Sequence, residues 1–279
     1  MHITAIIEDT PGRTGLTNQH GLSLHIETSG KEILFDAGPS NAIASNARIL
    51  GKHLSDVDLA ILSHGHYDHS GGLDALFREN PKARLYMRKG ADGDHYAKRK
   101  DGMEYIGVDR KLFERNAERI VTVDRDIEIC RGVHALVSIP HKEPLPVGNG
   151  LLFKKEGDVY VNDPFDHELV GVIEEDDGIV IFSGCGHSGI INMVLAAKQK
   201  FQERRIKAVI GGFHLMYGSS NEDLAQNIHD ASVIADRLVQ LGCEKVISGH
   251  CTGEQAAAVF KQKLKGMHTS LSTGLGIDL

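Results

Sequence analysis

The segment SHGHYDHSGG holds four side chains that bind transition metals, His64, His66, Asp68 and His69, within six residues. Imidazole nitrogens and carboxylate oxygens are ligands that suit zinc, iron and manganese. His64 and His66 alternate along the chain, so both can point at one ion, while Asp68 and His69 can reach a neighbouring ion. The flanking glycines let the backbone turn closely around such ions. This combination predicts a metal centre rather than a set of unrelated polar loop residues.

A buried strand must carry this loop. Residues 58–63 (DLAILS) form an apolar run typical of a strand that is covered on both faces, and a helix is predicted over 71–77. His250 follows a similar apolar strand, residues 245–248. We assign His250 to the second ion, together with Asp68 and His69. The alternative is a polar residue in a turn.

The remaining pattern alternates strands and helices. Asp177-Gly178 predicts the turn of a hairpin, and Ser220 and Gly242 can cap the clearest helix. The other predicted strands cover residues 2–7, 22–27, 32–36, 119–123, 127–129, 134–139, 169–174, 178–183 and 206–211, and the other helices cover 41–50, 190–202, 222–241 and 253–264. Residues 88–150 are rich in charge and show weak periodicity, so we predict an insertion within a single domain that spans 1–279. Within it, the stretch from His95 to Tyr105 is either a cover over an anionic substrate or a solvated charged loop.

Several motifs together resemble the metallo-β-lactamase superfamily. HGHYDH matches its HxHxDH signature, LFDAG resembles its early aspartate motif, and SGHCTG resembles its late histidine motif. The resemblance implies an α/β fold, a four-layer αββα sandwich with the metals at one edge of the two sheets. Within the superfamily, GCGHSGI, GGFHL and GHCTG resemble the branch that is related to dihydropterin ribofuranosyl-aminobenzene phosphate synthases. In this family pattern Asp36 supports the metal loop and orients a ligand histidine.

The chain departs from the family pattern where a bridging aspartate is usual, because this strand ends in Ser183-Gly184-Cys185. Cys185 is either a bridging thiolate or a small buried residue. We assign His187 as a third ligand for the ion of His64 and His66, with a helix-capping role as the alternative. His167 or Asp163 competes for that ligand position.

His214 follows an apolar strand in GGFHL. It is a candidate donor to a substrate anion, a general acid, a metal ligand or a structural residue. We group His214 with Asp36 and Cys185 as candidates for the catalytic machinery that are not primary ligands.

Composition limits the partners. The net charge of −7 argues against a nucleic-acid surface, where a basic face is usual. Cys130, Cys185, Cys243 and Cys251 form no CxxC pair, which indicates free thiols in a reducing compartment. Neither a signal peptide nor a membrane span is recognisable, so we expect a cytoplasmic protein.

The predicted function is metal-dependent hydrolysis. Two divalent ions, zinc before iron or manganese, lower the pKa of a water molecule, and the resulting hydroxide attacks a small anionic substrate, a phosphoester or phosphodiester. Backbone N–H groups after Gly189 can hold its phosphate. Three alternatives stay open: transfer chemistry on a pterin or ribosyl phosphate, a di-iron redox role, and a metal-binding regulatory protein without turnover.

Overall fold

The computed structural model of the chain describes residues 1–279. Its residues cluster into two compact units. The first unit comprises Met1–Asp124, Gly150–Leu169 and Ser272–Leu279, and the second comprises Arg125–Asn149 and Val170–Leu271. None of the helices combines the length and the apolar character that crossing a lipid bilayer requires.

Short strands dominate the secondary structure. The strands are β1 (His2–Ile7), β2 (Ser23–Thr28), β3 (Lys31–Phe35), β4 (Leu59–Leu62), β5 (Arg84–Arg88), β6 (His95–Arg99), β7 (Gly102–Tyr105), β8 (Ile120–Val123), β9 (Ile127–Cys130), β10 (Val133–Leu136), β11 (Leu152–Glu156), β12 (Val159–Asn162), β13 (Val170–Glu175), β14 (Gly178–Ser183), β15 (Ile206–Gly211), β16 (Val246–Ser248), β17 (His268–Ser270) and β18 (Gly276–Asp278). The helices are α1 (Ala42–Ile49), α2 (Tyr67–Ser70), α3 (Leu73–Glu79), α4 (Arg110–Arg115), α5 (Ile190–Lys200), α6 (Asn221–Gln240) and α7 (Glu254–Lys263). Short 3₁₀ turns occupy Leu54–Asp56, Ala117–Arg119, Val147–Leu151 and His250–Thr252.

The first unit is built on a seven-stranded sheet in the order β18-β1-β2-β3-β4-β5-β8. β4 lies between two parallel neighbours, and all four of its residues are buried, as the apolar run predicts. Apolar side chains of α1, α3 and α4 join strand residues in one core cluster. A separate four-stranded sheet has the order β12-β11-β6-β7.

The second unit is built on a seven-stranded sheet in the order β17-β16-β15-β14-β13-β10-β9. β14, β15 and β16 run parallel, and Ser183, Gly211 and Ser248 pair side by side at their carboxyl ends. Consequently the loops that follow these strands leave the sheet at one edge. Helices α5, α6 and α7 contribute apolar residues to the core cluster of this unit. Ser220 and Asp223 form a capping box at the start of α6, the helix whose start Ser220 was predicted to cap.

Most of the predicted elements are confirmed within two residues, and the hairpin at Asp177-Gly178 joins β13 to β14. The segment predicted as an insertion is distributed over all three sheets, because β6 and β7 join β11, β8 extends the first sheet, and β9 and β10 extend the second. The stretch from His95 to Tyr105 is an antiparallel hairpin and not a loop, while its charged residues Lys98, Arg99 and Lys100 are exposed, as the solvated alternative expects. β11 pairs with the other edge of β6, and this pairing orders a sequence that has no clear periodicity of its own.

Candidate metal centre

The predicted ligands of the first unit lie on the connection between β4 and α3. We call His64–His69 the metal loop. β4 ends at Leu62, and His66 has extended backbone angles at the N-cap of α2, which turns the chain sharply. His64 and His69 are fully buried, and His66 and Asp68 are 5% and 7% exposed. Four metal-binding groups are therefore held together away from bulk water.

The donor atoms of the metal loop face each other in two pairs. His64 Nε2 lies 3.0 Å from His66 Nδ1. His69 Nε2 lies 3.6 Å from an Asp68 carboxylate oxygen. Two ligands at about 2.0–2.1 Å from a tetrahedral ion are themselves about 3.3 Å apart. Both pairs therefore have a spacing that one small divalent ion can bridge, in the pairing that the sequence predicts.

Asp36 fixes the orientation of two of these rings. It follows β3, and its carboxylate accepts hydrogen bonds from the Ser63 backbone N–H (2.8 Å), the Ser63 hydroxyl (2.7 Å) and His69 Nδ1 (2.7 Å). Since the Ser63 proton is donated to Asp36, the Ser63 oxygen accepts from His64 Nδ1, 2.9 Å away. Both rings thus carry their proton on Nδ1. The lone pair of Nε2 can then bind an ion, toward His66 in the case of His64 and toward Asp68 in the case of His69. Asp36 supports the metal loop and supplies no ligand atom.

Gly65 lets a second support approach the metal loop. A Cβ atom at this position would lie 2.1 Å from the carbonyl oxygen of Ala91, so no larger residue fits. The N–H of Gly65 donates to His167 Nδ1 over 3.1 Å. The other His167 nitrogen, Nε2, lies 3.2 Å from Asp163. Because both of its nitrogens are engaged in this way, His167 acts in this structure as a brace for the loop backbone.

Asp163 binds two buried histidines, His95 and His167, and the sequence did not predict that these three residues lie together. His95 Nδ1 lies 2.9 Å from the same carboxylate oxygen of Asp163, and His95 Nε2 lies 3.2 Å from the Gly90 carbonyl oxygen. The rings of His95 and His167 stack with centroids 3.9 Å apart. The oxygens of Asp163 accept hydrogen bonds from these histidines and from the N–H of Phe165, and its role as an alternative metal ligand stays a prediction.

Burial and charge set the protonation of two of these groups. Burial lowers the pKa of His66 well below its usual value, against the opposing effect of Asp68. His66 is therefore neutral near pH 7, which is the form that binds metals. Burial raises the pKa of Asp163, but hydrogen bonds from His167 and His95 outweigh it and bring this pKa far below the usual range. Asp163 is accordingly a carboxylate that holds two imidazoles.

In the second unit, Cys185 is the centre of the candidate ligands. It lies two residues beyond β14, is 3% exposed, and its Sγ is 3.3 Å from His250 Nε2. Its Sγ is also within 4.8 Å of ligand atoms of His187, His214 and Cys251. The loops after β14, β15 and β16 deliver these side chains, because the ends of the three strands are aligned. Cys251 is the member that the sequence analysis missed, although it adjoins His250.

His187 is oriented by an amide. Its Nδ1 lies 3.0 Å from Asn149 Oδ1, and the Asn149 side-chain N–H₂ donates to the His187 carbonyl oxygen over 2.8 Å. The N-cap of α5 is Gly189, with no side-chain cap. His187 therefore does not cap this helix, and the capping alternative is wrong. Its ring lies 4.2 Å from that of His214, centroid to centroid.

The loops that carry His214 and His250 hold unusual backbone angles. Both residues have a positive φ, 49° and 50°, which is costly for a side chain with a Cβ atom. Backbone N–H groups of Leu215 and Met216 donate to the Cys251 carbonyl oxygen and tie the two loops together. Burial raises the pKa of the Cys251 thiol, but its contacts with Cys185, His250 and His214 outweigh burial and hold this pKa well below the usual value.

Comparisons with known proteins agree with this architecture. The family model of the metallo-β-lactamase superfamily matches residues 17–250, a range that contains every predicted ligand. A 7,8-dihydropterin-6-methyl-4-(β-D-ribofuranosyl)-aminobenzene-5′-phosphate synthase of Methanocaldococcus jannaschii is 30% identical, over 98% of this chain and 95% of its own. An uncharacterised protein of the same organism is 36% identical over 88% of each chain.

A solved structure extends the comparison to the fold. The crystal structure of a metal-dependent hydrolase of the β-lactamase superfamily superimposes with a TM-score of 0.82 and 30% identity, over 100% of this chain and 99% of that one. This chain therefore belongs to the metallo-β-lactamase superfamily. The fold that the sequence motifs implied is confirmed, and so is the resemblance to the synthase branch.

Proposed function

We propose that the chain is a metal-dependent hydrolase of a small phosphoester or phosphodiester. The observation that carries this proposal is the pairing of donors in the metal loop, with Asp36 directing the lone pairs of His64 and His69. A solved relative at 30% identity is described as a metal-dependent hydrolase, which supports the reaction class. The compound that the M. jannaschii relative is named for making carries a phosphate, which supports an anionic ligand for this chain.

In this proposal each donor pair holds one divalent ion, with zinc preferred. Bound divalent ions act as Lewis acids and lower the pKa of a coordinated water, which supplies a nucleophile near neutral pH. His64 and His66 hold one ion, and Asp68 and His69 hold the other. Asp36 keeps the rings in the ligand tautomer, and His167 keeps the backbone of the loop in place. The assignment of His187 and His250 as the completing ligands stays a prediction.

A cavity of the second unit suits the organic part of such a substrate. Its volume is about 300 Å³, at the lower end of the range of about 300–1,000 Å³ that is usual for ligand pockets. Apolar side chains of Ile190, Phe213 and Val233 line it, together with the ion pair of Glu143 and Arg237, whose Oε1 and Nη2 atoms are 2.6 Å apart. Such a lining favours a flat, partly polar ring or a short apolar group over a highly charged one.

The test combines metal content with turnover. Full-length protein is purified, its metals are counted, and hydrolysis of bis(4-nitrophenyl) phosphate is measured with added zinc or manganese. We expect metal-dependent hydrolysis that disappears on chelation and returns with the metal. Metal-loaded protein that is inactive on a panel of phosphoesters and phosphodiesters would overturn the proposal.

A second candidate function follows from one specific observation. The relative named as a synthase is similar over 98% of this chain, and its product contains a pterin and a ribosyl phosphate. Transfer chemistry on such a compound is therefore the alternative. Tight binding of a reduced pterin, seen as quenching of its fluorescence, together with no phosphodiester hydrolysis, would favour the transfer reaction.

A further inference from the structure

A second group of ligand atoms lies outside the metal loop and wholly within the second unit. The Sγ atoms of Cys185 and Cys251 and a ring nitrogen of His214 all lie within 4.8 Å of one another. We call these three residues the thiol cluster. Cys185 and Cys251 are buried, and no disulfide joins them.

The backbone is arranged to bring the thiol cluster together. The paired residues Ser183, Gly211 and Ser248 end three adjacent parallel strands, and the cluster residues follow two or three positions later. Gly212 is required for this approach, because a Cβ atom there would lie 2.5 Å from Cys251 Sγ. The positive φ of His214 is a local strain on the same loop, and strained residues concentrate at functional sites.

The donors themselves point to a ligand. Both ring nitrogens of His214 are shielded from solvent and make no hydrogen bond of good geometry, and the group that interacts with this ring is the Cys251 thiol. A buried polar atom without a strong partner is destabilising, so native structures rarely keep one without a purpose. The hydrogen bond that Cys251 Sγ donates to the Cys185 carbonyl oxygen over 3.5 Å is weak, because a thiol is a weak donor. A cation between the three side chains would give each of them a strong partner.

We propose that Cys185, Cys251 and His214 bind one zinc ion through two thiolates and one imidazole. Thiolate ligands select soft or borderline ions such as zinc over magnesium or calcium. Ligands at about 2.3 Å (sulfur) and 2.0–2.1 Å (nitrogen) from zinc lie about 3.5–3.8 Å apart, so modest side-chain movement from the present spacing suffices. Both sulfurs bind zinc as thiolates, so any proton still held by a thiol is released to solvent on binding. The proposal does not depend on phosphoester hydrolysis.

Cobalt substitution tests the site directly, because thiolate ligands give Co²⁺ an intense charge-transfer absorption that nitrogen and oxygen ligands do not. We expect this absorption in the reduced, cobalt-loaded full chain, and its loss together with one equivalent of metal in Cys251→Ser. Cys243→Ser is the matched control, a buried thiol outside the thiol cluster whose pKa burial raises to about 12. The control retains the absorption. The double variant H64A/H66A also retains it, which separates this site from the metal loop.

X-ray absorption of the zinc-loaded wild type keeps the proposal testable if Cys251→Ser does not fold. The spectrum must contain a sulfur shell at about 2.3 Å whose amplitude, summed over all the bound zinc, corresponds to two sulfur atoms per chain. A shell of nitrogen and oxygen alone, or a single sulfur atom, would overturn the proposal. Two further results would overturn the proposal. One is a protein with a Cys185–Cys251 disulfide that still fails to bind cobalt after the disulfide is reduced. The other is a charge-transfer absorption that survives in cobalt-loaded Cys251→Ser.

Discussion

The two compact units present metal-binding side chains in different ways. In the first unit one strand, β4, is followed by His64, His66, Asp68 and His69, which lie within six residues of one short loop. In the second unit three parallel strands each deliver one or two candidates, and no two of the loops are near each other in sequence. The first arrangement depends on local chain geometry, whereas the second depends on correct packing of a whole sheet edge.

The chemistry of the two groups differs as well. Nitrogen and oxygen donors make up the metal loop, and a carboxylate, Asp36, organises two of its imidazoles through Nδ1. Sulfur donors are added in the second unit, where Cys185 lies among His187, His214, His250 and Cys251. Ions bound as we propose would therefore differ in their ligand atoms, nitrogen and oxygen in the first unit and sulfur in the second, and variants of each group should separate them.

The largest effect is expected from removing a donor pair of the metal loop. The double variant H64A/H66A should lower kcat/KM for a phosphodiester by about 10³-fold, because Lewis-acid stabilisation contributes several kcal/mol and about 1.4 kcal/mol corresponds to tenfold. Steady-state kinetics at saturating zinc measures this change. His53→Ala, which alters an exposed histidine of the same unit, should leave the rate unchanged. If kcat/KM of the double variant stays within tenfold of the wild-type value, the metal loop does not take part in catalysis.

A smaller effect is expected from Asp36, which touches the ligands without being one. Asp36→Asn keeps the shape, but its N–H₂ group replaces one carboxylate oxygen and must face either the Ser63 N–H or the two donors Ser63 O–H and His69 Nδ1–H. Metal affinity should fall about 10–100-fold, the range typical of residues that orient ligand imidazoles. Competition with a chromophoric chelator measures the affinity. Asp101→Asn, in an exposed turn, provides the control, and equal affinity of the two variants would contradict the role of Asp36.

The cavity of the second unit can be tested with two valines of α6. Val233 lines the cavity, while Val239 on the same helix does not, and the two are similarly exposed at 47% and 50%. Val233→Trp should fill the cavity and raise KM about tenfold with little change in kcat, because binding of a remote group is lost. Val239→Trp should leave KM at the wild-type value. If both variants behave alike, the cavity does not bind the substrate.

The smallest effect concerns the pH dependence of stability. Burial lowers the pKa of His268 on β17 from 6.5 to about 4. The unfolded chain therefore takes up this proton first, and stability is lost as the pH falls from about 6.5 to about 4. His268→Gln should reduce that loss by on the order of 1 kcal/mol, after allowance for partial solvent exposure. Urea unfolding at pH 7 and pH 4.5 measures it.

The control for this last prediction is His141→Gln, which alters an exposed histidine of the same unit. It should follow the wild-type pH dependence. A steeper loss of stability in His268→Gln than in wild type would show that the folded state favours the protonated form of His268, which is the opposite sign.

The sequence was informative wherever the ligands are close along the chain. His64, His66, Asp68 and His69 are recognisable because one loop holds them all, and the flanking strand has a simple apolar pattern. The αββα fold could be predicted from the family motifs, which lie at strand ends spread over most of the chain.

The residues that escaped prediction meet through long-range pairing. His95 and Asp163 are 68 positions apart and come together in a sheet whose strands lack a clear periodic pattern. Asn149 reaches His187 from 38 positions earlier. The signal for Cys251 was present beside His250, but only the aligned ends of β14, β15 and β16 show that it faces Cys185 and His214. Such contacts follow from tertiary structure, and local sequence patterns do not contain them.

Anomalous diffraction at the zinc edge, from crystals of the full chain grown with zinc, tests the role of the metal loop most directly. We predict an anomalous peak about 2.0–2.1 Å from both His64 Nε2 and His66 Nδ1, and a second peak shared by Asp68 and His69. Crystals saturated with zinc that show no anomalous density at these four side chains would contradict the account.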